Sequence, residues 1–122
     1  MPKKKKFTTV EILTKARDLL SKEGAWCQGY FAKTKKGKLI ESRSKRAASF
    51  CMLGAIQRFD NQCQFGLWNP EWYQAKKYVA SAIRTSIDNI ASWNDKPKRT
   101  QEQVIKAFDK AISKAEKDSQ KS

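Results

Sequence analysis

Apolar side chains recur at helical spacing in three stretches of the chain. Val10, Leu13, Ala16, Leu19 and Leu20 fall three or four positions apart, the spacing that puts side chains on one face of an α-helix. Thr8 and Glu11 stand where a capping box needs them, each side chain bonding the other's backbone N–H. The spacing predicts a first helix over residues 9–23, ended by Gly24 in a left-handed conformation. Asn69-Pro70 opens another helix as cap and first-turn proline, followed by a stripe of Ala75, Tyr78, Val79, Ala82 and Ile83. Ile87 and Ile90 carry the apolar pattern through a break to Trp93, and Asn94 to Pro97 reads as a turn with Asn94 left-handed. Thr100 and Gln103 repeat the capping box ahead of Val104, Ile105, Phe108, Ala111, Ile112 and Ala115, which predicts the last helix, to about residue 116.

The middle of the chain has a different pattern. Ser44 is a cap residue, and Ala47, Phe50, Cys51, Leu53, Gly54, Ala55 and Ile56 cover more than half a helical circumference. This breadth predicts a buried central helix. Gly54 costs that helix about 1 kcal/mol relative to Ala, a cost that a second backbone passing close by explains. Upstream, Trp26 to Phe31 is extended in character, Lys35-Lys36-Gly37-Lys38 is a turn signal, and Leu39-Ile40 is a returning strand. Residues 60–68 read as a loop. The prediction is a mainly α fold, a compact bundle of about four helices with a small β-hairpin between helices 1 and 2. Residues 1–7 form a flexible basic arm, residues 8–116 a single helical domain and residues 117–122 a frayed tail.

Composition narrows the function classes. A chain of 122 residues with 39% hydrophobic and 31% charged residues is sized and balanced for one globular domain. No apolar run approaches a membrane span, and none follows the lysines at positions 3–6 as a secretory leader would require. The expected location is the cytoplasm, with no membrane partner and no cofactor. The three cysteines, Cys27, Cys51 and Cys63, are odd in number and lack the close pairs of structural zinc, so neither a disulfide framework nor a metal site is expected. Histidine is absent. This excludes Ser-His-Asp triads, Cys-His pairs and histidine metal sites. Cys27 is then the candidate nucleophile, against the simpler reading of a small packed side chain.

Charge changes the picture most. The net charge is +14, from 26 Lys and Arg against 12 Asp and Glu. Lys33, Lys35, Lys36, Lys38, Arg43, Lys45 and Arg46 crowd one segment, opposed there only by Glu41. Such a field draws in polyanions. Tyr30 and Phe31 precede the cluster as a candidate stacking face. Lysine makes point-charge contacts to phosphate rather than the bidentate fork that reads guanine, so the expected binding has little sequence specificity.

Four motifs remain: Trp26-Cys27-Gln28-Gly29, then Cys51-Met52-Leu53-Gly54-Ala55-Ile56, then Trp93-Asn94-Asp95, and Arg99-Thr100 leading through Val104-Ile105 and Phe108-Asp109 to Ala111. In this order they resemble a family of small bacterial and phage proteins whose function is unassigned. The resemblance spans about residues 9–115. It implies, by association with phages, a role in phage–host conflict or phage housekeeping, and it carries over no catalytic residue. Trp26, Gln28, Trp93, Asn94 and Asp95 form a candidate small-ligand pocket if the motifs converge; the alternative for Trp93 to Asp95 is a helix stop.

Three readings follow. The first is a non-enzymatic protein binding nucleic acid or another polyanion through phosphates. The second is a phage-encoded inhibitor of a host defence component, binding an acidic protein or a small anionic nucleotide. The third is a Cys27-dependent enzyme. The oligomeric state is open, with Trp68 and Trp72 as candidate interface residues.

Overall fold

The computed structural model describes residues 5–121; Met1 to Lys4 of the arm and Ser122 of the tail lie outside the described residues. The order of elements is α1 (Thr9–Leu20), β1 (Ala32–Lys33), β2 (Ser49–Phe50), α2 (Met52–Arg58), α3 (Pro70–Ala82), α4 (Ile90–Asn94) and α5 (Gln101–Ser119). Single 3-10 turns cover Cys63–Phe65 and Ile87–Asn89. The protein is mainly helical with a small two-stranded antiparallel sheet.

The long helices α1, α3 and α5 pack against one another, and α2 closes the core against α1 and α3. Ile12, Leu13 and Leu20 of α1 meet Ile56, Val79, Val104 and Phe108, all fully buried. The helix starts agree with the sequence pattern because each is decided locally. Thr8 and Glu11 form the capping box on α1, Thr100 and Gln103 form that on α5, and the Asn69 side chain accepts from the Trp72 amide ahead of Pro70. The apolar pattern after α3 does pass through a break, at Arg84 with φ of 62°.

Helix ends depart from expectation where tertiary contacts intervene. α1 stops at Leu20, not at residue 23. Gln101 Nε2 donates to the carbonyls of Leu20 at 2.6 Å and Lys22 at 2.9 Å, so a side chain of α5 satisfies carbonyls at and just beyond the end of α1. Gly24 is left-handed, with φ of 75°, but turns the chain after the helix has ended. α5 runs past residue 116 to Ser119, where Tyr78 Oη donates to Asp118 Oδ2 at 2.7 Å. Asn94 remains helical; the left-handed residue after α4 is Lys98, with φ of 71°. In the basic arm, Lys5 to Phe7 lie on the domain. Asn61 Nδ2 donates to Lys5 O at 2.7 Å, Lys6 pairs with Glu71 at 2.7 Å, and Phe7 packs against the core.

The central helix is the main correction. It begins at Met52, not near Ser44, and its cap is Cys51, whose sulfur accepts from the Gly54 amide at 3.3 Å. Cys51 is therefore a cap rather than a mid-helix residue. Ser49 and Phe50 are strand β2, paired in antiparallel register with Lys33 and Ala32. Phe50 also bridges Trp26 in parallel. The two strands of the sheet are thus separated by the basic segment. Leu39 returns beside Lys33 through a single bridge around the predicted turn, with Thr34 N donating to Lys38 O at 2.8 Å.

Gly54 is explained by its neighbour. A Cβ there would overlap the carbonyl of Phe31. The strand segment before β1 crosses α2 so closely that only glycine fits.

Candidate polyanion interface

Asn94 is the joint at which three of the sequence motifs meet. It is fully buried. Its Oδ1 accepts from Trp26 Nε1 at 2.8 Å and from the Met52 amide at 3.1 Å. Its Nδ2 donates to Cys27 O at 3.2 Å and to Asp95 Oδ1 at 2.9 Å. All four hydrogen bonds available to the amide are made. Gln28 Nε2 donates to the carbonyls of Asn94 at 2.9 Å and Lys96 at 3.0 Å, and Gly29 N donates to Asp95 Oδ1 at 2.9 Å. The first-turn amide of α2 is one of the orphan donors of a helix start, and here a side chain from α4 satisfies it.

The structure therefore brings Trp26, Gln28, Asn94 and Asp95 together, but as a closed joint whose polar groups serve one another. Trp93 stands apart from them, under Arg99: the guanidinium lies 3.6 Å from the indole centroid and Nε donates to Trp93 O at 2.8 Å. The adjacent cavity, about 90 Å3, is lined by Gly29, Tyr30, Phe31, Cys51, Leu53, Ala91 and Asp95.

Cys27 is half-buried behind this joint, its thiol 3.8 Å from Tyr30 O. Burial pushes the Cys27 thiol up, against smaller opposing effects from Ser49 and Lys33. An activated nucleophile requires the opposite shift. The Cys51 thiol is pushed up to about 11, again chiefly by burial. Among the described residues no group of three or more Cys, Asp or Glu is placed to hold a metal ion.

The basic residues form a different kind of site. The turn from Thr34 to Lys38 makes one wall, closed by the Lys38 amide donating to Thr34 Oγ1 at 3.2 Å. The segment from Lys45 to Ala48 makes the other, tied on by Ala48 N donating to Lys33 O at 2.8 Å. Arg58 anchors the chain just ahead of this second wall, with Nη1 donating to Ser42 O at 2.7 Å and Ser44 O at 3.1 Å. Between the walls is an open concavity of about 610 Å3 lined by Thr34, Lys35, Lys36, Lys38, Lys45, Arg46, Ala47 and Ala48. All five of its cations are exposed, no carboxylate lines it, and none of the five enters an ion pair among the described residues.

Two of the seven basic residues read from the sequence are not on that lining. Arg43 is engaged with Glu41, Nε to Oε1 at 3.0 Å, and Lys33 lies over the Tyr30 ring at 4.9 Å from its centroid. Thr34, Ala47 and Ala48 complete the concavity, and no sequence signal marks them. A contrasting surface is at the α1–α3–α5 end, where a concavity of about 700 Å3 is lined by Glu71, Glu116 and Asp118 and, among the described residues, by no lysine or arginine. Two of its three carboxylates are paired with lysines outside the lining, Glu71 with Lys6 at 2.7 Å and Asp118 with Lys114 at 3.5 Å.

A model of a family of unknown function, DUF6197, matches residues 5–114. The chain belongs to this family. The DUF6197 match takes in the Asn94 joint and both walls of the basic concavity. No curated protein and no solved structure matches the chain. Among the described residues no helix is long and apolar enough to cross a membrane.

Proposed function

We propose that this protein is a non-enzymatic binding protein that holds nucleic acid or another polyanion by its phosphates. The observation that supports this most directly is the convergence of Lys35, Lys36, Lys38, Lys45 and Arg46 on one concavity free of carboxylates. Two segments separated in sequence supply these charges, and Arg58 and the β1–β2 pairing hold them together. Unpaired ammonium groups release condensed counterions when they meet phosphates, and this is the main source of sequence-independent affinity. Four of the five are lysines, which favour contact with backbone phosphates over reading of bases.

The test is a fluorescence titration of labelled DNA and RNA over a range of salt. About five phosphate contacts give a loss of roughly two to three decades of affinity between 50 and 200 mM salt. Reversal of Lys35, Lys36 and Lys38 to Glu weakens binding by a similar factor for all sequences. Absence of binding at 50 mM salt, or an unchanged affinity in the triple variant, rejects the proposal.

A further inference from the structure

An aromatic cluster at the start of α3 lines neither the basic concavity nor the cavity beside the Asn94 joint. Trp68, on the loop before α3, is 66% exposed. Its ring stands edge-on to Trp72 at 6.2 Å between centroids, and tilted against Tyr73 at 5.8 Å. Two cations flank it. The Lys76 ammonium lies 3.6 Å from the Trp72 centroid and 5.8 Å from that of Tyr73, and Lys77 lies 5.9 Å from Tyr73. The Asp60 carboxylate nearby is engaged by Asn69 Nδ2 at 2.8 Å and by the Gln62 amide at 3.3 Å.

A short run of contacts joins this cluster to the basic concavity. Ser44, at the foot of the Lys45–Ala48 wall, is held by Arg58 at the end of α2. Asp60, two residues on, is bonded to Asn69, the neighbour of Trp68.

We infer that Trp68 and Tyr73, flanked by Lys76 and Lys77, form a stacking platform for an unpaired nucleobase, and that the polyanion held at the basic concavity is single-stranded nucleic acid. The inference rests on the proposed phosphate-binding function and narrows its ligand. An apolar protein surface gains nothing from the Lys76 ammonium over the Trp72 face or the Lys77 ammonium beside Tyr73. A nucleotide uses both parts, its base against the indole and its phosphate beside a lysine. A duplex keeps its bases stacked inside and leaves such a platform idle.

The experiment compares three probes on the full chain: a dodecamer of oligothymidylate, a duplex of the same length, and inorganic polyphosphate. Trp68→Ala weakens the single strand about tenfold, within the range that loss of one stacked base gives, and leaves duplex and polyphosphate within about twofold. Trp68→Phe, which keeps an aromatic face, restores most of the loss. The triple Lys35, Lys36 and Lys38 reversal weakens all three probes. Circular dichroism confirms that each variant is folded. Single-strand affinity unchanged in Trp68→Ala overturns the platform and leaves the concavity reading standing. No binding of any probe by the natural chain removes both. Loss of a dimer in Trp68→Ala, with single-strand binding intact, assigns the patch to a second copy and overturns the inference.

Discussion

Gly54 of α2 sits directly against the backbone carbonyl of Phe31, with no space for even a methyl group between them. The contact lets the chain before β1 cross the helix start, with the Cys51 amide donating to the same Phe31 oxygen at 3.2 Å. In an unobstructed helix, Gly54→Ala would stabilise by about 1 kcal/mol. Here the overlap is with backbone, which cannot rotate away, and overpacking costs about 1–3 kcal/mol. The expected result is a net loss of stability of up to about 2 kcal/mol, measured by urea denaturation. A more stable variant contradicts the crossing.

Asn94→Ala leaves the Trp26 indole N–H and the Met52 amide without an acceptor in a buried setting. Each unsatisfied buried donor costs about 1–3 kcal/mol, so the variant is expected to lose about 3 kcal/mol or more. Trp26→Phe removes a donor instead, and its expected loss is about 1 kcal/mol. Thermal or chemical unfolding of both variants checks the order. Equal effects would mean that Asn94 does not serve as the common acceptor.

The Cys51 thiol predicts an alkaline sensitivity of definite sign. Burial pushes the thiol up to about 11 from an ordinary value of 9.0. The folded state therefore favours the protonated thiol. Its stability contribution is full below about pH 9 and is lost as pH rises to about 11, because the unfolded chain ionises first. Cys51→Ser keeps a capping side chain without this titration. The stability difference between the natural chain and this variant is expected to be flat below pH 8 and to turn against the natural chain by about 2 kcal/mol at pH 11. A constant difference across that range rejects the burial of the thiol.

Arg43 and Lys36 are both exposed cations of the basic segment, but only Lys36 lines the concavity. Arg43 is held by Glu41 at 3.0 Å. Lys36→Ala is expected to lower the slope of log affinity against log salt by about one, as loss of one phosphate contact does. Arg43→Ala is expected to leave it nearly unchanged. Equal slopes in the two variants would mean that overall charge, and not the concavity, governs binding.

The starts of α1, α3 and α5 were legible because their causes lie within a few residues: Thr8 with Glu11, Asn69 with Pro70, Thr100 with Gln103. The apolar stripes behind those caps face the core. α2 was legible only in part. Its apolar residues were recognised, but Phe50 is spent on pairing with Ala32 and Trp26, and the helix starts after it. Cys51 is not among the usual capping residues, so nothing local marked it as one.

The charge and chemistry of this chain were determined by its sequence: a basic front segment, no histidine, and a glycine in α2 that required a close neighbour. Which cations line one concavity was decided by the fold. Arg58 and the β1–β2 pairing gather five of them, while Glu41 and the Tyr30 ring engage the other two. The same holds for the motifs. Trp26 and Asn94 are 68 positions apart and meet only because α4 docks beside the start of α2. Helix caps depend on neighbours along the chain, whereas a concavity or a buried joint depends on which distant segments pack together, and periodicity alone does not contain that information.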